Sequence, residues 1–259
     1  MPLDIHNLNV DFNVGSINEK HVIRGLNLTL DAHDFVCVLG SNGAGKSTLL
    51  NAILGQVPYS GSIALNGVTI DKWPQHKRTR HIGIVYQDPL KGTSPNLTVE
   101  ENLLLSMRTK GIARRADTKA FLLKAKEELA KLGLGIENSF KLPCNNLSGG
   151  MRQVVTLYMA TSFDAELLLL DEHTAALDPS TAEKVMQVTQ DIVTSKGVPA
   201  LMVTHNLDFA LAYGNRLIVL NQGNVVFDVR GKEKQALTRE QLLSSYASVL
   251  SDRALLQNQ

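Results

Sequence analysis

The chain has 259 residues, 44% hydrophobic and 20% charged, with a formal net charge of +1, which suits one substantial globular core. Charge so close to balance argues against broad nucleic-acid binding, which needs clustered positive charge to neutralise phosphates. No apolar run approaches the roughly 20 residues that span a bilayer, and the opening stretch, with Asp4, His6 and Asn7, lacks the charged-then-apolar form of a signal peptide.

The first predicted elements are strands, the last of them an apolar run at residues 35–39 that leads into Gly40-Ser41-Asn42-Gly43-Ala44-Gly45-Lys46-Ser47-Thr48. Residues 49–54 then follow a helical pattern. The stretch fits G-x-x-x-x-G-K-[ST] in the strand, loop and helix context that a phosphate cradle requires. Its glycines let the backbone curl until N–H groups point inward, and the helix adds its positive N-terminal end, so the loop suits a triphosphate and by itself leaves kinases, GTPases and motor ATPases open. Lys46 is expected to reach the β- and γ-phosphates. The Ser47 hydroxyl is expected to be a ligand of Mg²⁺ bridging those phosphates, and Thr48 to seat the loop. Next comes a strand and turn at residues 61–67, where Asn66-Gly67 is a strong turn signal.

Two short stretches, residues 72–81 and Arg114-Arg115, concentrate positive charge and read as solvated faces. From residue 98 to about residue 161 the pattern turns helical, with Phe121, Leu122, Ala125, Leu129 and Leu132 on one face before Gly133 ends the helix. Of the two cysteines, Cys37 falls in a predicted core strand and Cys144 in a loop, without metal-ligand spacing, a usage that fits a reducing cytoplasm.

Leu147-Ser148-Gly149-Gly150-Met151-Arg152-Gln153 precedes a helix whose apolar positions, Met151, Val154, Val155, Tyr158 and Met159, follow the i, i+3, i+4, i+7 pattern. Ser148 is its natural N-cap. Two glycines behind a capping serine expose N–H groups at a helix N-terminus and make a second phosphate-binding end, although the same residues also suit a plain loop before a helix. The buried-strand pattern Leu167-Leu168-Leu169-Leu170 then runs into Asp171-Glu172, placing acids at the carboxyl edge of a parallel sheet. Asp171 is expected to hold the Mg²⁺ shell and Glu172 to be the general base that polarises the attacking water. A helix-start charge pair is the other reading of these two acids. Strands at residues 200–203 and 216–220 and a hairpin near Gln222-Gly223-Asn224 complete the pattern.

Together these motifs, in this order, resemble the nucleotide-binding subunit of ABC transporters over nearly the whole chain. The resemblance implies an α/β fold: a P-loop NTPase, RecA-like core with an antiparallel β subdomain and a helical signature-motif insertion. Its regions would be residues 1–95 and 162–230 for the core, 96–161 for the helical part and 231–259 for a tail. It also implies roles for residues that carry no signal alone. Phe12 would stack on adenine, Gln87 would contact Mg²⁺ and water and sense the membrane partner, and His205 would contact the γ-phosphate. In the same way Ser148, Gly149, Gly150 and Asp178 would act across a homodimer.

Three departures stand out. Met151 replaces the usual Gln, Phe12 the usual Tyr, and His173 the usual Pro; the last either donates a hydrogen bond near the phosphate or, as the reading prefers, replaces a rigid turn residue. The wording Asp171-Glu172-His173-Thr174-Ala175-Ala176-Leu177-Asp178-Pro179 is similar to a bacterial import-type subfamily proposed for aromatic amino acids such as tryptophan. That implies a peripheral protein on the cytoplasmic face of the membrane, an integral-membrane permease and an extracytoplasmic substrate-binding protein as partners, and no nucleic acid. An exporter ATPase and a soluble non-transport ABC ATPase are the alternatives.

Overall fold

The structure, a computed structural model, describes residues 1–109 and 115–244. In chain order the elements are β1 (Leu3–Phe12), β2 (Lys20–Leu30), β3 (Phe35–Leu39), α1 (Lys46–Leu54), β4 (Ser60–Leu65), β5 (Val68–Thr69), α2 (Gln75–His81), β6 (Ile82–Val85), α3 (Val99–Thr109) and α4 (Arg115–Ala130). They continue as α5 (Gly149–Thr161), β7 (Leu167–Asp171), α6 (Pro179–Lys196), β8 (Ala200–Val203), α7 (Leu207–Ala212), β9 (Arg216–Asn221), β10 (Asn224–Arg230) and α8 (Gly231–Ala236). These elements form two compact units, one from residues 1–78 with the described chain from residue 197 onward, the other from residues 79–196.

In the first unit an antiparallel sheet has the order β2-β1-β4-β5. Strand β1 buries Leu3 and Ile5 and then Leu8 and Val10. That change of phase needs an extra residue, because strand side chains alternate strictly. The irregularity lies between Ile5 and Leu8, where Asn7 takes φ 48°. The second set of strands in this unit runs β10-β9-β3-β8, with β3 parallel to both β8 and β9. All five β3 residues are buried, the continuous apolar run expected of a strand covered on both faces. The β9–β10 hairpin turns at Gln222 and Gly223 with φ 47° and 79°, the two-residue geometry whose twist matches the flanking strands.

The basic run 72–81 is not a uniformly solvated face. Arg78 is 2% exposed, and its guanidinium is spent on the chain: Nη1 donates to the carbonyls of Ala52 and Ile53 at 3.0 Å each, and Nε to the Trp73 carbonyl at 3.1 Å. A long cation can be buried when every donor finds an oxygen, and the C-terminal carbonyls of α1 lack helical partners. Periodicity carries no trace of this contact, since the donor and acceptors come from separate elements.

In the second unit β6 pairs in parallel with β7, Ile82 opposite Leu167 through Val85 opposite Leu170, and Leu167 to Leu170 are fully buried. Helix α4 buries Ala125 and Leu129, while Phe121 stacks on Phe163 with ring centroids 5.4 Å apart. Leu132, expected on the same helix face, lies in the turn beyond Ala130, its N–H bonded to the Leu129 carbonyl. Cys144 sits in a short 3-10 turn rather than an open loop and is buried. Arg114 and residues 245–259 of the expected tail fall outside the described residues; α8 occupies the start of that tail. Among the described residues no helix is long and apolar enough to cross a membrane.

Candidate functional site

In the first unit β3 ends at Leu39 and hands the chain to the glycine-rich loop, and α1 begins at Lys46. Gly45 is the N-cap, with φ 102° and no capping side chain. Few residues other than glycine hold that backbone angle, and without a side-chain cap the helix presents its amide end to the loop. The loop is held from within and from outside: the Ala44 N–H donates to the Ser41 carbonyl at 3.1 Å, and the Gly223 N–H to the Ala44 carbonyl at 3.0 Å. Lys46 is 6% exposed, with its ammonium 2.7 Å from the Gly40 carbonyl and 3.2 Å from the Ser41 carbonyl. The positive charge is therefore folded into the concavity of the loop. A positive helix end, a held ammonium and a hydroxyl residue, Ser47, behind it form a cradle for polyphosphate.

His205 belongs to the same unit. Strand β8 runs beside β3 with Val203 in register with Val38, and the Thr204 N–H donates to the Val38 carbonyl at 3.1 Å. The chain then reaches exposed His205 before Asn206 caps α7 by accepting from the Phe209 N–H at 3.0 Å. The loop and His205 thus leave the carboxyl ends of neighbouring parallel strands, where α/β sheets bind ligands. Phe12 closes β1 opposite Lys20 and is 36% exposed.

In the second unit β7 delivers Asp171 and Glu172 at its carboxyl end. Asp171 and Gln87 line one cavity of about 300 Å³ with Tyr86, Asp88, Pro89, Lys91 and Ala176. Carboxylate and amide oxygens are hard donors, the kind that Mg²⁺ accepts. Glu172 has φ 44°, a left-handed conformation that costs a non-glycine residue roughly 1–2 kcal/mol. His173, the next residue, is turned away from solvent. Its ring is 2% exposed, its Nε2 lies 3.0 Å from the Thr189 hydroxyl in α6, and burial drops its pKa to about 4.

Ser148 is the N-cap of α5, its Oγ accepting from the Met151 N–H at 3.3 Å. The glycines behind it have a second reason to be small. A Cβ at Gly150 would stand 2.3 Å from the Thr181 methyl, and one at Gly149 3.0 Å from a Leu177 methyl, so the start of α5 lies against the turn and helix that follow Glu172. Asp178 caps α6, its Oδ1 accepting from the Thr181 N–H at 3.1 Å and the Ser180 hydroxyl at 2.8 Å, and bonds from the Thr181 side chain, the Ser180 hydroxyl and that N–H hold its pKa down to about 2.

A family model described as ABC transporter matches residues 23–175. The chain belongs to the ABC transporter family. This ABC cassette is similar to the tyrosine transport ATP-binding protein of Clostridioides difficile (strain R20291), 42% identical over 249 residues covering 94% of this chain and 98% of the other. It is also similar to the macrolide export ATP-binding/permease protein MacB of Campylobacter fetus subsp. fetus (strain 82-40), 33% identical across 88% of this chain and 35% of that one. Among solved structures, the ATP-binding cassette MJ0796, a dimer in a post-hydrolysis state bound to ADP and Pi, matches with a TM-score of 0.74 at 27% identity, over 88% of this chain and 98% of that one. The α/β fold is that of a P-loop NTPase, and the cassette is an ATPase that powers a transporter.

Sequence reasoning passed over two residues of the ABC cassette near these motifs. Gln153 is 1% exposed and donates from Nε2 to the Tyr86 carbonyl at 2.8 Å, joining the signature helix to the residue before Gln87. Thr189, fully buried in α6, is the partner of His173. Both lie on helix faces that read as packing, so the signal was only a polar residue in a buried register.

Proposed function

We propose that this cassette is the ATP-hydrolysing subunit of an importer, working as a head-to-tail homodimer with a separate integral-membrane permease. The observation that carries the reading is the Lys46 ammonium, held inside a loop whose helix end bears no side-chain cap. In this reading Gly40, Ser41, Asn42, Gly43, Ala44, Gly45, Lys46, Ser47 and Thr48 hold the phosphates of ATP, and Phe12 stacks on its base. Ser47, Gln87 and Asp171 would hold Mg²⁺, which would neutralise phosphate charge. Glu172 takes the proton of the attacking water, and His205 holds the γ-phosphate that leaves.

Ser148, Gly149, Gly150 and Asp178 act on the nucleotide of the partner copy, so one ATP links two chains. Such an interface is two-fold symmetric. ATP favours the closed dimer, loss of the γ-phosphate opens it, and the segment after Gln87 passes the opening to the permease. The reading keeps residues 1–95 and 162–230 as the ATPase core and 96–161 as the helical subdomain. It places the protein at the cytoplasmic face of the membrane and adds an extracytoplasmic substrate-binding protein. Similarity to a tyrosine transport protein and the wording of residues 171–179 favour an aromatic amino acid as cargo. Similarity to a macrolide export protein supports an exporter as the second reading.

The test is Glu172→Gln, which keeps size and hydrogen-bonding reach but removes the carboxylate. The variant should bind Mg²⁺-ATP and accumulate as an ATP-bound dimer on size-exclusion chromatography while turnover is lost. Hydrolysis near the wild-type rate would move the base to another residue. For cargo, uptake of labelled tyrosine and tryptophan should fall in cells carrying the variant, and uptake unchanged for both would remove the aromatic assignment.

A further inference from the structure

Glu172 is an L-residue in the left-handed region, and such a conformation persists only where its surroundings over-determine it. The segment that follows is tied at successive points. The Ala175 N–H donates to the Glu172 carbonyl at 2.9 Å, the Leu177 N–H to the Thr174 carbonyl at 3.2 Å, and Asp178 caps α6. Those ties are local to the turn. His173 makes a tie that reaches further, its ring contacting Thr189 within α6. The Thr189 hydroxyl has one proton, and it goes to the Val185 carbonyl at 2.7 Å. The hydroxyl therefore accepts from His173, and Nε2 must carry the hydrogen. The ring is a neutral donor with one fixed orientation, locked to a residue that is itself locked to its helix.

We propose that His173 is a positioning residue for Glu172: anchored to Thr189, it holds the adjoining peptide so that the Glu172 carboxylate is aimed at one place. This rests on the reading of Glu172 as the base. Proline at this position would restrict the backbone by its ring; His173 restricts it instead through a buried side-chain bond, and Thr189 becomes part of the machinery although it lies 17 positions along the chain from Glu172. Losing the Thr189 hydroxyl leaves the imidazole N–H without its acceptor, so the ring must turn and the Glu172 peptide follows.

The test uses the full chain and steady-state hydrolysis of Mg²⁺-ATP, with ATP affinity and urea unfolding measured alongside. Thr189→Val, nearly the same shape without the hydroxyl, should lower kcat tenfold or more, the scale on which small misplacements act, and leave KM and ATP affinity within twofold. Thr189→Ser, which restores the hydroxyl, should return kcat to within twofold of wild type. In a Glu172→Gln background, where turnover is already lost, Thr189→Val should leave the ATP-bound dimer on size-exclusion chromatography unchanged. Wild-type kcat in Thr189→Val, or equal loss in the Val and Ser variants, would overturn the positioning role while leaving Glu172 as the base. Loss of that dimer in the Glu172→Gln background would overturn the inference, since Thr189 would then act on something other than Glu172. Wild-type turnover in Glu172→Gln alone would instead overturn the reading beneath the inference.

Discussion

Arg78 Nη1 donates to the carbonyl oxygen of Ala52 at 3.0 Å, so the helix that begins at Lys46 has its far end closed by a buried cation. The same guanidinium reaches the Tyr59 hydroxyl at 2.9 Å and the Asp71 carbonyl at 3.2 Å. Arg78→Ala removes these donations, leaving the Ala52 carbonyl to the Gly55 N–H at 3.0 Å, and opens a cavity, and should destabilise the protein by about 3 kcal/mol. Urea denaturation should show a lower midpoint with the slope unchanged. A midpoint within experimental scatter of wild type would mean that the carbonyls find other donors.

Removing the charge at the near end of α1 has a different outcome. Lys46→Ala deletes the ammonium held by the Gly40 and Ser41 carbonyls, and is expected to abolish ATP turnover and most nucleotide binding while the fold survives. Isothermal titration with Mg²⁺-ATP checks it. Wild-type binding would move the phosphate site away from this loop.

Ser148 separates cap from contact. Ser148→Ala removes the acceptor of the Met151 N–H and should cost about 1 kcal/mol of stability. Ser148→Arg should leave ATP binding by the single chain intact and stop hydrolysis, because it obstructs only the contact proposed to be made across the dimer. Equal loss of binding and turnover would make Ser148 a structural residue alone.

Phe12 should contribute through its ring face. Phe12→Ala is expected to weaken ATP affinity by about 1 kcal/mol, with little change in kcat at saturating ATP. Fluorescent-nucleotide titration measures this, and unchanged affinity would place the base elsewhere.

Alkaline pH should loosen the first unit. Burial pushes the Cys37 thiol up to about 12, and burial together with the bond to Asp71 pushes the Tyr59 hydroxyl up to about 12. Both groups hold their protons more tightly folded than unfolded, so stability is complete below the unfolded values near 9 and 10 and declines as pH rises toward 12. Urea midpoints between pH 8 and 11 should fall, and a thiol reagent at pH 8 should leave Cys37 unmodified until the chain is unfolded. Rapid labelling of native protein would contradict this.

The elements legible in the sequence were those specified by neighbours along the chain. The glycine loop between β3 and α1, the apolar run into Asp171, Ser148 ahead of α5 and the Gln222-Gly223 hairpin each declare themselves within a few residues. What escaped depends on contacts between distant segments. Arg78 looked like one cation in a basic run because two of its acceptors, the Ile53 and Ala52 carbonyls, lie 25 and 26 positions away. His173 looked like a substitute for proline because Thr189 sits a helix further on. Gln153 gave no sign of reaching the Tyr86 carbonyl, 67 positions earlier. Such pairings are set when elements dock, and propensity does not encode them.

Because the position where a Gly150 side chain would begin is filled by the Thr181 methyl, any residue larger than glycine at 150 collides with α6 before its effect on an anion can be read. The two positions form one steric unit. Among related chains, a larger residue at 150 should occur only together with a smaller one at 181. A serine or alanine at 181 would then open room for alanine at 150, letting the amide exposure of the signature turn be varied separately from its packing.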